Sequence, residues 1–293
     1  MSATYLTFGE IRFQCRKRFG GVDPDILDSL INERYRRVLR RGDWQRLRVQ
    51  AVLQTVAPYE TGTVAVVAGS QNLTLADGAW TGAMTGRAIR IALREEYYQF
   101  TFLTELTGQL DRPYEGEDDA AAAYSIWQSV YVLPADLFQL HSMRVLGSPE
   151  DLDQVTQEAL DERDANRSAS GQPFCYAPHM DNASTPPREQ VELWPVPDEV
   201  LAIPFWHTQD PELFSASATS NFIAPWLSPA AIYDGVEADV RRLDGKLAGA
   251  QAAEAMFLTH LSEMFGAEAR RRGPQPIKMH PIYTRHNRRR WQR

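Results

Sequence analysis

The stretch from Thr61 to Pro134 decides the fold. It opens TGTVAVVAGSQNLTLADGAW (61–80), continues through RAIRIAL (87–93) and YYQFTF (97–102), and closes on YSIWQSVYVLP (124–134). In RAIRIAL, Ile89, Ile91 and Leu93 fall on one face and Arg90 and Arg94 on the other, the period of two expected of a half-buried strand. Tyr98, Phe100 and Phe102 repeat that pattern. Turn chemistry separates the runs, since Gly69-Ser70, Asp77-Gly78, Thr85-Gly86 and the segment from Arg112-Pro113 to Gly116 supply residues that tolerate tight or left-handed backbone. Five or six strands of this length predict a small antiparallel sandwich or barrel.

The regions on either side read as helical. Thr7 and Glu10 have the spacing of a capping box, so a helix is expected from there to about Phe19. Gly20-Gly21 ends it, and Asp23-Pro24 starts a second helix with a cap and a proline in the first turn. Ile26, Leu27, Leu30, Ile31, Tyr35, Val38 and Leu39 make one apolar face of that second helix, with Arg34, Arg36, Arg37, Arg40 and Arg41 beside or opposite it. Those arginines read either as a solvated, ion-paired face or as a phosphate-contacting one. Near the other end, Ser228-Pro229 starts a stripe of Ile232, Val236, Val240, Leu243 and Leu247. A second stripe follows in Met256, Phe257, Leu261, Met264 and Phe265, with Gly245 and Gly249 between the two, so a helix pair or one bent helix is expected.

Between block and helices the reading is mixed. RLRVQAVLQTV (46–56) alternates as a strand leading into the block, with the option of pairing outside it. HSMRVLG (141–147) is a further candidate strand, and Ser148-Pro149-Glu150-Asp151 starts an acidic helix expected to run to about Ala165. Residues 166–188 read as a surface loop crossed by a short strand at 173–176. EQVELWPVPDEVLAIPFWHT (189–208) reads as a β-hairpin, placed at a sheet edge by its prolines. The domain expectation is a helical core of residues 1–45 and 134–272, with the hairpin near 189–207, an inserted β module at 46–133, and an extended arm at 273–293. The fold class is therefore α+β.

Composition narrows the function. The chain has 293 residues, 43% of them hydrophobic, and a formal charge of −7, an ordinary soluble balance that argues against a general nucleic-acid coat. The charge is unevenly spread: from Arg270 to Arg293 there are nine arginines or lysines and no acid, so the rest is more acidic than the total suggests. Two cysteines, Cys15 and Cys175, are too few for a disulfide framework. Neither a secretory leader nor a run of roughly 20 apolar residues is visible, so no membrane association is expected. There is no GxxxxGK[ST] loop and no GxGxxG after a strand, which leaves nucleotide binding without support. The six histidines, including His179, His280 and His286, lack metal-ligand spacing. The acidic run Glu115, Glu117, Asp118, Asp119 reads as a loop tip. No cofactor, metal or catalytic residue is expected, and the protein is not expected to be an enzyme.

The order of these elements resembles the head-to-tail adaptor proteins of tailed bacteriophages. The resemblance rests on Gly62-Thr63-Val64 through Leu73-Thr74-Leu75, on Leu110-Asp111-Arg112-Pro113-Tyr114-Glu115-Gly116, on Tyr131-Val132-Leu133-Pro134-Ala135-Asp136-Leu137 with its Leu-Pro-x-Asp signal, and on Leu193-Trp194-Pro195-Val196-Pro197-Asp198. Asn221 to Trp226 departs from the family, which often has an acidic pair and a Leu-Pro there. The resemblance implies a structural virion protein at the head-to-tail neck, made in the host cytoplasm and assembled as a homododecameric ring below the portal. Such a ring continues the channel for packaged double-stranded DNA, helps retain the genome and docks tail or further neck proteins. It implies that the C-terminal segment reaches the portal. The residues of that segment suggest how: Ile277, Ile282, Tyr283 and Trp291 as apolar anchors, with Arg285, Arg288, Arg289 and Arg290 as charged partners. The alternative is a sequence-independent DNA-binding protein using the basic second helix and the arm, and a third, weaker class is a glycan-processing virion enzyme.

Overall fold

In the computed structural model the described residues are 7–42, 44–92, 94–182, 184–210 and 227–272. Leu93, the segment 221–226 and the whole arm, with Ile277, Ile282, Tyr283, Arg285, Arg288, Arg289, Arg290 and Trp291, lie outside them. The chain is α+β and divides into two units, residues 1–45 with 211–293, and residues 46–210.

The first unit begins with α1 (Phe8–Arg18) and α2 (Pro24–Arg41) and ends with α4 (Pro229–Leu243) and α5 (Leu247–Arg272). The capping box forms as expected: Thr7 Oγ1 accepts from Glu10 N–H at 3.2 Å and the Glu10 carboxylate accepts from Thr7 N–H at 2.7 Å. Asp23 caps α2 through Asp25 N–H at 2.8 Å. The break between α4 and α5 falls at Gly245, whose φ of +73° places it in the left-handed region that a residue with a Cβ reaches only at a cost.

Leu27, Ile31, Tyr35, Val38 and Leu39 of α2 are buried, as are Ile232, Val236 and Val240 of α4 and Phe257 and Leu261 of α5. Through this apolar packing runs Arg34, only 1% exposed. Its Nε and Nη2 donate to the two carboxylate oxygens of Asp239 at 2.5 Å each, and its Nη1 and Nη2 to Glu254 at 3.2 and 2.8 Å. The guanidinium also lies 5.0 Å from the centre of the Phe257 ring. Gly235 makes room for it, since a Cβ there would sit 2.8 Å from Arg34 Cδ. The expectation that the α2 arginines line one exposed face therefore fails for Arg34, because it has a carboxylate from each C-terminal helix to neutralise it.

The second unit holds β1 (Arg48–Gln54), then the block strands β2 (Val64–Val66), β3 (Asn72–Leu75), β4 (Ala88–Ile91), β5 (Tyr98–Thr104), β6 (Thr107–Leu110), β7 (Asp119–Ala122) and β8 (Tyr124–Trp127). It continues with β9 (Val130–Val132), β10 (Leu137–Met143), β11 (Asp153–Gln154), α3 (Gln157–Asp164), β12 (Cys175–Asp181), β13 (Arg188–Trp194) and β14 (Ala202–Gln209).

The block is a nearly closed seven-stranded antiparallel sheet in the order β7-β2-β3-β6-β5-β4-β8. Its two outer strands, β7 and β8, are separated in sequence by Ala123 alone. Val64, Leu73, Leu75, Trp80, Ile89, Ile91, Tyr98, Phe100 and Ile126 fill its interior. Trp80 stands edge-on to Phe100 and Tyr124, and its indole N–H donates to the Tyr124 hydroxyl at 3.2 Å. Gly62 closes the first turn at φ +82°, where a Cβ would come within 1.9 Å of the Asp77 carbonyl oxygen.

Beyond the barrel the expectations need correction. Residues 134–210, assigned from the sequence to the helical core, belong with the β unit because their strands find partners there: β10 and β1 flank β14, and β13 lies between β12 and β9. The hairpin near 189–207 does not form, since β13 and β14 join different sheets, and neither is an edge strand. Pro204 is accommodated inside β14 because its carbonyl accepts from Arg144 N–H just beyond the end of β10. A strand residue's N–H and C=O point to the same side, so the missing N–H falls on the side of residues 144–146 beyond β10, where Leu146 N–H continues the bonding to the Ala202 carbonyl. The acidic helix shortens to Gln157–Asp164, capped by Thr156, because Asp153 and Gln154 pair in parallel with Cys175 and Tyr176. The short strand expected at 173–176 extends to Asp181.

Among the described residues no helix is long and apolar enough to cross a membrane. Replacing Arg34 with Ala leaves Asp239 and Glu254 facing a buried gap, so it should lower stability to chemical denaturant by about 3–5 kcal/mol. Arg37→Ala, removing an exposed residue 3.9 Å from Glu254, should change it by less than about 1 kcal/mol. Burial opposes ionisation of Glu254, but the hydrogen bond and charge of Arg34 outweigh it and hold the pKa below the ordinary 4.5. A depressed carboxylate contributes its stability above the unfolded value and loses it as pH falls through the folded one. Denaturation below pH 4.5 should therefore show an acid-dependent loss that is smaller in Arg34→Ala.

Candidate functional site

Within the second unit the β12-β13-β9 sheet has two chemically opposite faces. Tyr176, Val191, Leu193 and Tyr131 point into an apolar core. The residues between them form two cross-strand rows, Ala177-Glu192-Val130 and His179-Gln190-Val132, on the opposite face by the period of two. That face floors a cleft of about 770 Å³, also lined by Arg87, Tyr97 and Gln99 from the barrel, by Trp127, and by Gln157, Asp161 and Arg167 from α3 and the loop after it.

Arg167 organises the cleft. Its Nε donates to Glu192 Oε1 at 2.6 Å and its Nη2 to Asp161 Oδ1 at 2.5 Å. Its Nη1 donates to the Asp164 carbonyl at 2.5 Å. Burial by itself would depress its pKa, but the hydrogen bonds and charges of Glu192 and Asp161 prevail and raise it. Glu192 in turn accepts from the Gln157 side-chain amide. Both carboxylates therefore serve the same cation.

Arg90 ties this arrangement to the barrel. Its Nη2 donates to the carbonyls of Asn166 and Arg167 at 2.7 and 3.3 Å, and its guanidinium lies 4.7 Å from the Trp127 ring centre. Burial lowers its pKa, only partly offset by the charge of Asp164. The alternation in RAIRIAL puts Arg90 on the outside of the barrel, but that outside is covered.

Four polar atoms of the lining residues are buried with no partner among the described residues: Arg87 Nε, Trp127 Nε1, Gln157 Oε1 and His179 Nδ1. The first two can only donate and Gln157 Oε1 can only accept, while the His179 nitrogen does either according to tautomer. Desolvation lowers the Arg87 pKa, opposed by its neighbour Tyr131. A second cavity of about 570 Å³ shares Trp127 and Arg167 and lies between Pro58, Glu60, Arg90 and Asp198.

The other chemical candidates have structural partners. Asp118 accepts from Ala68 N–H at 2.7 Å and Asp119 from Ala121 N–H at 2.8 Å, so half of the acidic run fastens turns. Cys15 and Cys175 are free and buried, and burial pushes the Cys15 thiol up to about 12. Among the described residues no group of three or more His, Cys, Asp or Glu is placed to hold a metal ion. The arm residues proposed from the sequence lie outside the described residues. The cleft residues come from four separate segments, which hides them in the sequence, and the one local signal that marks any of them is the alternation of Glu192 with Val191 and Leu193. No known protein family matches the chain, and neither does any curated protein.

Asp164 gives the site a direct readout. It accepts from the N–H groups of Ser168 and Ala169 at 2.8 Å each and from the Trp194 indole N–H at 3.2 Å. Its burial penalty is outweighed by these donors, and its pKa falls to about 2. The Trp194 indole N–H resonance should titrate with a midpoint near 2, and stability should be lost as pH falls from the ordinary aspartate value toward that point. Asp164→Asn should abolish the titration while keeping the resonance in place.

Proposed function

We propose that the chain is a structural virion protein, a head-to-tail adaptor that forms a ring below the portal, continues the DNA channel and provides a docking surface for tail proteins. In this reading the helices form a core domain, the β-rich unit is the inserted module, and residues 273–293 are an arm that meets the portal. The observation that carries the reading is topological: α1 and α2 from one part of the sequence and α4 and α5 from another belong to one helical unit, and residues 46–210 form a separate β-rich unit between them in sequence.

The segments of the resemblance each have a geometric role compatible with it. Gly62 makes the turn that opens the barrel. Leu133-Pro134-Ala135-Asp136 carries the chain from β9 to β10, and Asp136 closes the exit of the unit by accepting from Asp210 N–H and the Gln209 amide at 2.5 and 2.6 Å. Trp194 to Asp198 passes between sheets. α5 carries exposed Leu247 and Leu258 on one flank and exposed Met256 on the other, apolar side chains that protein neighbours could cover. Arg167, Asp161 and Glu192 of the cleft are engaged in mutual ion pairs, an arrangement that fixes shape. The alternative of DNA binding through α2 loses one of its residues, since Arg34 is committed to Asp239 and Glu254.

Deletion of residues 278–293 is the test. The truncated chain should keep the circular dichroism spectrum and unfolding midpoint of the described helices and strands, yet lose portal binding in a pull-down with the virion's own portal protein. Unchanged portal binding would sink the role assigned to Ile282, Tyr283 and Trp291. Imaging of the assembled virion should show twelve copies at the vertex that carries the tail.

A further inference from the structure

The barrel-facing cleft has more unmet hydrogen-bonding capacity than its own ion pairs need. Two of its lining residues, Arg87 and Trp127, carry obligate donors, Nε–H and Nε1–H, that are buried without a partner among the described residues, and Trp127 is 4% exposed. A buried donor left unmatched costs about 1–3 kcal/mol, so the cleft gains when something supplies acceptors. The charge of Arg167 is already met by Asp161 and Glu192, whereas Arg87 has no carboxylate partner among the described residues. Arg87 and Arg167 balance Asp161 and Glu192 over the lining as a whole, but both carboxylates sit on Arg167, so the place open to a further carboxylate is next to Arg87.

The floor adds the shape of the ligand. β9 is an outer strand of its sheet. Leu133 N–H and the Ser129 carbonyl bond to β13 at 2.9 and 2.8 Å, so the backbone groups of Val130 and Val132 point the other way, by the alternation of a strand. Both residues line the cleft. Gln128 Nε2 reaches the Val130 carbonyl at 2.9 Å, a single side-chain bond on an edge that an added strand would otherwise use. A polypeptide offers alternating acceptors and donors to such an edge, and the cleft volume of about 770 Å³ suits a few residues.

We propose that this cleft binds an extended peptide segment of a partner protein, its backbone running along β9 and an Asp or Glu side chain seated between Arg87 and the Trp127 indole N–H. The basic arm of another copy is a poor occupant, because its cations would meet Arg87. The inference stands or falls separately from ring formation, since it concerns one cleft within one chain.

The test is selection of a phage-displayed library of random octapeptides against the full-length chain, followed by measured binding of the enriched peptides. Enriched sequences should carry an Asp or Glu flanked by strand-forming residues. Their affinity should fall about tenfold or more in Arg87→Gln, as expected for loss of a charged hydrogen bond. Arg87→Lys, which keeps the charge and removes Nε, should lie between, and Lys246→Gln, far from the cleft in sequence and exposed, should bind as the parent does. Saturating peptide should shift the indole N–H resonance that Trp127→Phe removes. The proposal is overturned if no peptide is enriched, if the enriched peptides lack an acid, or if they bind Arg87→Gln undiminished while that variant remains folded. Free glutarate binding with the affinity of the peptide and shifting the same resonance would equally overturn it, in favour of a small-carboxylate site.

Discussion

The pairing of Arg167 with the buried Glu192 and the exposed Asp161 is the constraint on which the β-rich unit depends. One guanidinium joins α3, the loop after it and the centre of the β12-β13-β9 sheet, while its own backbone carbonyl receives Arg90 from the barrel. Arg167 adopts φ +49°, a left-handed conformation that costs a non-glycine residue roughly 1–2 kcal/mol. The ion pairs and the carbonyl contacts offset that cost. A buried pair of this kind adds little net stability over a well-packed apolar substitute, but removing one partner is expensive.

Arg34 does the corresponding work in the helical unit. Helices packed only by Leu, Ile and Val tolerate sliding by a turn, whereas one arginine that must meet Asp239 on α4 and Glu254 on α5 fixes both helices against α2. Trp44 and Phe265 stack at 4.9 Å, and Glu268 takes the backbone N–H of Gln45 at 3.0 Å, so the segment that leaves α2 is fastened to the far end of α5. Gly42 permits this approach, as a Cβ there would lie 2.3 Å from the Phe265 ring. The two units therefore use the same device, a buried arginine shared by two acids, to hold elements that are distant in sequence. Such internal rigidity suits a component whose proposed task is to present fixed surfaces to neighbours.

Much of the local structure was legible. The capping box at Thr7, the Asp23 cap, the break at Gly245 and the inward set Ile89, Ile91, Tyr98 and Phe100 all follow from interactions within a few residues or from a strict period of two. Strand β1 was visible by its alternation, and its pairing outside the barrel was an open option that β14 settles. The acidic stretch after Ser148 was misread because charge and a proline favour a helix start locally, while the pairing of Asp153-Gln154 with β12 is a contact across some twenty residues. The supposed hairpin failed for the same reason. Two neighbouring strands joined by a short connection usually pair, but here each had a better partner elsewhere.

What the sequence determined by itself is the inventory: which segments are helix or strand, which face of each is apolar, and that the class is α+β, because periodicity, capping and turn chemistry act over short range. Only the tertiary structure decided which strands share a sheet, that residues 134–210 belong with the barrel, and that Arg34, Arg90 and Arg167 are covered where their local pattern puts them outside. Those outcomes depend on where a distant carboxylate or carbonyl comes to lie, and an arginine's burial is favourable only once such a partner has arrived.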